Sequence, residues 1–182
     1  VEKIGKDAFR RDEKTFVVEK KPEKGRRVLL EERLLTLAFQ SDPDILIDEK
    51  VSSLIKTPLA SRICQEYGKF RKSFKSFSPS DFASGLPKEL LEGFAQMVLV
   101  DIGDSLNSQS LAKERELVIR ELKINQVRYR LEVFGVKIRR YEKEEQWDKL
   151  KKVQKKFGEL TQKLSLLEGS GEKGIILERS QK

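Results

Sequence analysis

Few residues of this chain are of the types, or at the spacings, that catalysis or metal binding requires. Its 182 residues include no histidine and a single cysteine, Cys64. Imidazole is the commonest general base and the commonest metal ligand, so both roles lose their usual candidate. One thiol allows no intrachain disulfide and no zinc site of the usual Cys/His kind. It also fits a reducing cytoplasm, the expected location. Carboxylates stand close together at Asp42-Pro43-Asp44 and at Asp101-Ile102-Gly103-Asp104. Either group could offer oxygen ligands to Mg2+. Both fall at expected helix boundaries, however, where an Asp is expected as a cap. Glu92-Gly93-Phe94-Ala95-Gln96 has the outline of an E-G-x-x-D metal motif, but Gln96 stands in place of the second carboxylate and the segment is helical in pattern. No Walker loop or glycine-rich phosphate turn is present. Cys64 lies beside Ile63 on the apolar face of an expected helix, where a thiol acts as a small buried hydrophobe. The expectation is therefore a non-catalytic chain with no catalytic residues, no cofactor and no metal.

Composition and charge suit a helical protein that works by contact. Hydrophobic and charged residues each make up 37% of the chain, and the net charge is +8. The 38 basic residues are mixed with 30 acidic ones. No long block of one sign and no basic tract interleaved with aromatics stands out. The excess reads as a solvated helical surface with a basic bias, and nucleic acid as a secondary partner. No apolar run approaches membrane-spanning length, so no membrane partner is expected. Val1 opens no signal-like stretch, and the lack of a starting Met points to a piece of something longer.

The elements follow from periodicity and punctuation. Residues 1–26 read as a charged linker with a possible remnant of a preceding domain, ending in Lys20-Lys21-Pro22-Glu23-Lys24-Gly25. Arg27–Gln40 is the first expected helix, with Leu30, Leu34, Leu37 and Ala38 on one face and Leu29, Leu35 and Phe39 widening it. Thr57-Pro58 starts a helix carrying Leu59, Ile63, Tyr67 and Phe70. Lys72–Pro79 is a loop, and Ser80-Asp81-Phe82 begins a short turn ended by Gly85. Pro87 opens a helix to about Val100, with Leu90, Leu91, Phe94, Val98 and Met97 inward. Leu34, Leu37, Ile63, Tyr67, Leu90 and Phe94 should meet in one core, because none of these helices is stable alone in water.

The last third carries two apolar stripes that mirror each other about Glu145-Gln146. The first is Ile124, Val127, Leu131, Phe134, Ile138 and Tyr141; the second is Leu150, Val153, Phe157, Leu160, Leu164 and Leu167. Both advance by alternating steps of three and four, the signature of a helix that buries a narrow seam. Folding back at Glu145-Gln146 pairs Tyr141 with Leu150 and, at the far end, Ile124 with Leu167. That is an antiparallel helical hairpin. Gly135 and Gly158, beside the central Phe134 and Phe157, imply a close approach or a kink. The expected organisation is all-α: a small helical bundle over 27–110, a long helix and hairpin over 111–168, and a flexible tail over 169–182.

The segment Glu32-Arg33-Leu34-Leu35-Thr36-Leu37-Ala38-Phe39-Gln40-Ser41-Asp42-Pro43-Asp44-Ile45-Leu46 resembles the opening of the C-terminal domain of bacterial DNA primase (DnaG). Leu122–Leu167 is similar to the terminal hairpin of that family, although Glu145-Gln146 stand where the family commonly has Gly-Asp at the turn. The N-terminal domain of the replicative helicase shares the fold and is the alternative reading. The resemblance covers roughly Arg27–Glu168 and rests on hydrophobic pattern. It implies a helicase-binding domain whose partner is the replicative DNA helicase (a DnaB-type hexamer), with no small-molecule substrate. Priming would be carried out by other domains of the parent enzyme. On that reading Tyr141, Lys143, Glu144, Gln146 and Trp147 at the hairpin tip would bind the partner. The other alternative is a nucleic-acid-binding module using Arg128, Arg130, Arg139 and Arg140.

Overall fold

The computed structural model describes residues 25–99 and 108–179, with side chains through residue 169. Among the described residues seven α-helices follow one another: α1 (Arg26–Ser41), α2 (Glu49–Ser52), α3 (Pro58–Ser73), α4 (Pro79–Gly85), α5 (Lys88–Val98), α6 (Ser108–Lys143) and α7 (Trp147–Arg179). A 3-10 helix, Pro43–Ile47, links α1 to α2, and no strand occurs among the described residues. The chain is all-α, as its periodicity implies. The carboxylate group at residues 101–104 and the linker through residue 24 lie outside the described residues.

Two helix starts fall where punctuation places them: Pro43 and Pro58 each occupy the first turn of a helix, a position whose N–H has no partner within the helix in any case. Pro79, expected as the end of a loop, opens α4 in the same way, and Pro87, expected to open a helix, is the cap residue before α5. Ser78 caps α4 by accepting from the Asp81 N–H. Asp42 sits at the cap position of the 3-10 helix, yet its side chain makes no capping bond. It faces Arg115 instead, at 3.8 Å. Asp48 is the carboxylate that does cap, accepting from the Lys50 N–H at 2.6 Å.

One apolar core joins α1, α3, α4 and α5, and Leu34, Leu37, Ile63, Tyr67, Leu90 and Phe94 all lie in it. Phe82 is its hub: its ring lies 5.0–6.1 Å from those of Phe39, Tyr67, Phe70, Phe77 and Phe94. Edge-to-face and offset arrangements at such distances exceed what area burial alone supplies. Met97 is buried, but Leu29 and Leu91, both expected inward, are exposed. Each sits at the edge of its apolar stripe.

A buried carboxylate ties α1 to the start of α3. Glu31 is 0% exposed. It pairs with Arg27 at 2.8 Å and accepts from the Lys56 N–H (3.0 Å), the Thr57 N–H (2.7 Å) and the Thr57 hydroxyl (2.7 Å). Arg27 in turn donates to the Leu54 carbonyl. A charge out of water persists only with this degree of pairing and hydrogen bonding.

Helix α6 crosses the boundary expected at 110/111. Val118, Ile119 and Leu122 belong to the bundle core. Ion pairs Arg26–Glu121 (2.8 Å) and Arg33–Glu114 (2.6 Å) run along the same contact and make α6 antiparallel to α1. Beyond Leu122 the helix leaves the bundle and pairs with α7. Helix α7 is continuous to Arg179, past the stop expected at Glu168. Glycines weaken a helix by about 1 kcal/mol each without forbidding it, and no proline follows Gly169.

Candidate functional site

The hairpin extends beyond the bundle core, and its seam is the one expected. On α7, through residue 169, only Leu150, Val153, Phe157, Leu160, Leu164 and Leu167 are not exposed. The six facing positions of α6 are all buried or half-buried as well. Lys149 Nζ lies 5.9 Å from the Tyr141 ring near the turn, and Arg128 meets Glu168 at 2.7 Å at the far end. Most seam residues remain half-buried because two helices cover a seam from two sides only.

The glycines do not do what the sequence implies. A Cβ added at Gly135 or Gly158 would meet nothing within 4 Å, and α6 runs unbroken through Gly135. No close approach explains them. The close approach is elsewhere, at Gly93 in α5, where a Cβ would lie 2.8 Å from Leu59 Cδ2 of α3.

The turn is tight despite having no glycine. Glu145 adopts φ 52°, the left-handed conformation that usually selects glycine just past a helix end. The Glu145 N–H bonds the Glu142 carbonyl at 3.2 Å, and the Gln146 N–H bonds the Tyr141 carbonyl at 2.9 Å. This pair of bonds is the Schellman arrangement, which satisfies carbonyls that a helix end otherwise leaves open. Gln146 then opens α7, its carbonyl accepting from the Leu150 N–H.

The tip residues divide by role. Tyr141 is half-buried in the seam, and Gln146 is half-buried at the turn, its Nε2 donating to Glu144 at 2.9 Å. Glu144 also accepts from Arg140 at 2.7 Å, which raises the Arg140 pKa. Lys143 is exposed. Trp147 is 59% exposed, so its ring does not close the end of the hairpin core. An indole left in water at a turn is a large apolar surface free to bury against something else. Arg128, Arg130, Arg139 and Arg140 are exposed along α6. The same helix exposes Tyr129 and Val136.

Elsewhere the polar groups hold structure. Arg71 grips Asp44 through one edge of its guanidinium, Nε and Nη2 donating to the two carboxylate oxygens at 2.6 and 2.7 Å, and the Tyr67 hydroxyl donates to the same carboxylate at 2.6 Å. Arg71 first, then Tyr67, hold the Asp44 carboxyl below its ordinary pKa. Burial, then Asp44, push the Tyr67 phenol above its own. Burial pushes the Cys64 thiol up to about 12, far from a thiolate at neutral pH. Among the described residues no group of three potential metal ligands stands together, and no helix is long and apolar enough to cross a membrane.

The composition hid one tract. Lys69-Phe70-Arg71-Lys72-Ser73-Phe74-Lys75-Ser76-Phe77 interleaves basic and aromatic residues, and residues 67–80 contain no carboxylate. Counting charges over the whole chain averages this segment away.

Comparison with known proteins identifies no relative. No protein-family model, no curated protein and no solved structure matches the chain.

Proposed function

We propose that this chain is the helicase-interaction domain of a bacterial DNA primase. It would be non-catalytic, docking the primase on the replicative helicase during primer synthesis. The observation that carries this reading is the hairpin itself. It lies over the segment where the resemblance calls for one, projects beyond the bundle, and ends in the exposed indole of Trp147. A half-covered apolar seam with an aromatic tip suits recognition of another helical surface. Trp is enriched among residues that anchor protein interfaces. A helicase N-terminal domain shares the bundle, and the hairpin favours the primase.

The test is binding to the replicative helicase of the same organism. Trp147→Ala should weaken binding by on the order of 2 kcal/mol and leave helical content unchanged. A chain ending at Asn125 keeps Val118, Ile119 and Leu122, which complete the bundle core. It should retain the bundle's helicity and lose tight binding. Unchanged affinity in the shortened chain would place the interaction on the bundle and defeat the assignment to the hairpin.

A further inference from the structure

The last turn of α3 and the loop after it have the composition and the relief of a single-stranded nucleic-acid contact. Phe74 stacks on Phe70 with centroids 4.5 Å apart and an interplanar angle of 13°. Phe70 packs against the bundle core, so the lower ring of the stack is fixed. Phe74 is 50% exposed. A shallow cleft beside it is lined by Phe70, Phe74 and Phe82 together with Glu66, Lys69, Ser73 and Gly85. On the other flank of the same helix end, Arg71, Lys72 and Lys75 line a second hollow with Asp44 and Asp48.

The cations are not equivalent. Lys69 pairs with Glu66 at 2.7 Å. Arg71 is held by Asp44 and also donates to the Phe74 and Lys75 carbonyls, so it ties down the first two residues after α3. Lys72 and Lys75 have no ion-pair partner among the described residues. Basic residues in the last turn complement the helix dipole, which accounts for Arg71 and Lys72. It accounts neither for Lys75, which lies beyond the helix, nor for a half-exposed Phe74 stacked on a fixed ring.

We propose that Phe74, backed by Phe70, is a stacking platform for one base of a single-stranded nucleic acid whose adjoining phosphates are met by Lys72 and Lys75. Every base has a π face, so the platform is indifferent to sequence. The duplex is a poor ligand, because its bases are already stacked on each other. The site lies on the bundle, apart from the hairpin tip, and stands whether or not the tip binds a helicase.

The experiment is fluorescence anisotropy of a labelled oligothymidylate, about fifteen nucleotides long to exceed the footprint of a small module, titrated with the whole chain at several salt concentrations. Two phosphate contacts give a log–log salt slope of about −1.4 for a single strand. Phe74→Ala should weaken binding roughly ten-fold and leave the slope in place, the loss of one base–aromatic stack. Phe74→Trp in a Trp147→Phe background should keep the affinity, and the oligonucleotide should quench its emission. Lys72→Gln with Lys75→Gln should flatten the slope toward zero. Circular dichroism of each variant separates lost binding from lost folding. Three outcomes overturn the proposal: no binding at low salt, binding lost with Arg128, Arg130, Arg139 and Arg140 but indifferent to Phe74, or an acidic peptide bound at Phe74 in place of the oligonucleotide.

Discussion

Replacing Glu31 by Ala should be among the most damaging single changes in the bundle. The carboxylate has no exposed surface. Its removal leaves the guanidinium of Arg27 without its counter-charge. It also leaves three donors, the Lys56 N–H, the Thr57 N–H and the Thr57 hydroxyl, without an acceptor. Breaking a buried pair by deleting one partner costs about 3–5 kcal/mol. Arg27 is partly open to solvent and can recover some hydration, which favours the lower end, about 3 kcal/mol. For a chain of this size that corresponds to a fall in Tm of roughly 6–12 °C. Glu31→Gln should cost less, since one acceptor oxygen survives, but its NH2 group would face a donor. Thermal and urea unfolding followed by circular dichroism measure both. A double change of Arg27 and Glu31 to apolar residues is the control, because removing a whole buried pair is often nearly neutral. A loss below about 1 kcal/mol for Glu31→Ala would show that the buried carboxylate does not hold α1 to α3, and the reasoning would fail.

Other outcomes follow from the same geometry. Gly135→Ala and Gly158→Ala should each stabilise by about 1 kcal/mol, since the added methyl meets nothing and helix propensity improves. Gly93→Ala should fall below both in the same unfolding assay, because Leu59 must move to admit the methyl. Glu145→Gly should raise stability by up to about 1 kcal/mol, the relief of a left-handed residue less the extra freedom glycine has when unfolded; a loss would mean that the Glu145 side chain supports the turn. Asp44 is held below its ordinary pKa, so its contribution is present above the unfolded value near 4 and is lost as pH falls through the lower folded value. Stability measured from pH 5 downward should therefore decline less steeply in Asp44→Asn than in the parent chain, and equal slopes would assign that decline to other carboxylates.

What could be read from the sequence was whatever repeats or punctuates. The seam showed because a/d spacing recurs through twelve positions, and because its two halves mirror each other it also located the turn. Proline marked two starts from the first turn, at Pro43 and Pro58, and a third from the cap position, at Pro87. Glu31 was invisible for the opposite reason. Among the charges of Arg26–Arg33 it looks like one more solvated side chain in an i, i+4 pair with Arg27, and the partners that bury it, the Lys56 and Thr57 N–H groups and the Thr57 hydroxyl, lie twenty-five or twenty-six positions away. Gly135 and Gly158 misled because glycine signals conformational freedom without saying whether anything uses it. Only the neighbours of the missing methyl answer that, and they are present at Gly93 alone of the three. Leu29 and Leu91 fit their stripes in sequence, yet both are exposed, since a stripe's width does not say how much of it is covered. The basic and aromatic tract at Lys69–Phe77 was in plain view, but charge totals over the chain diluted it.

Helix α6 is at once a wall of the bundle and an arm of the hairpin, and that makes it a lever. From Leu122 to Lys143 it extends about 32 Å at 1.5 Å per residue, rooted at one end and free at the other. A tilt of about 10° at the root therefore swings the tip by roughly 5–6 Å over that arm. Any load applied to Trp147 returns to the root as torque, where Arg26–Glu121 and Arg33–Glu114 straddle the fulcrum on α1. The tip and the bundle are thus joined by one unbroken helix, with no joint between them.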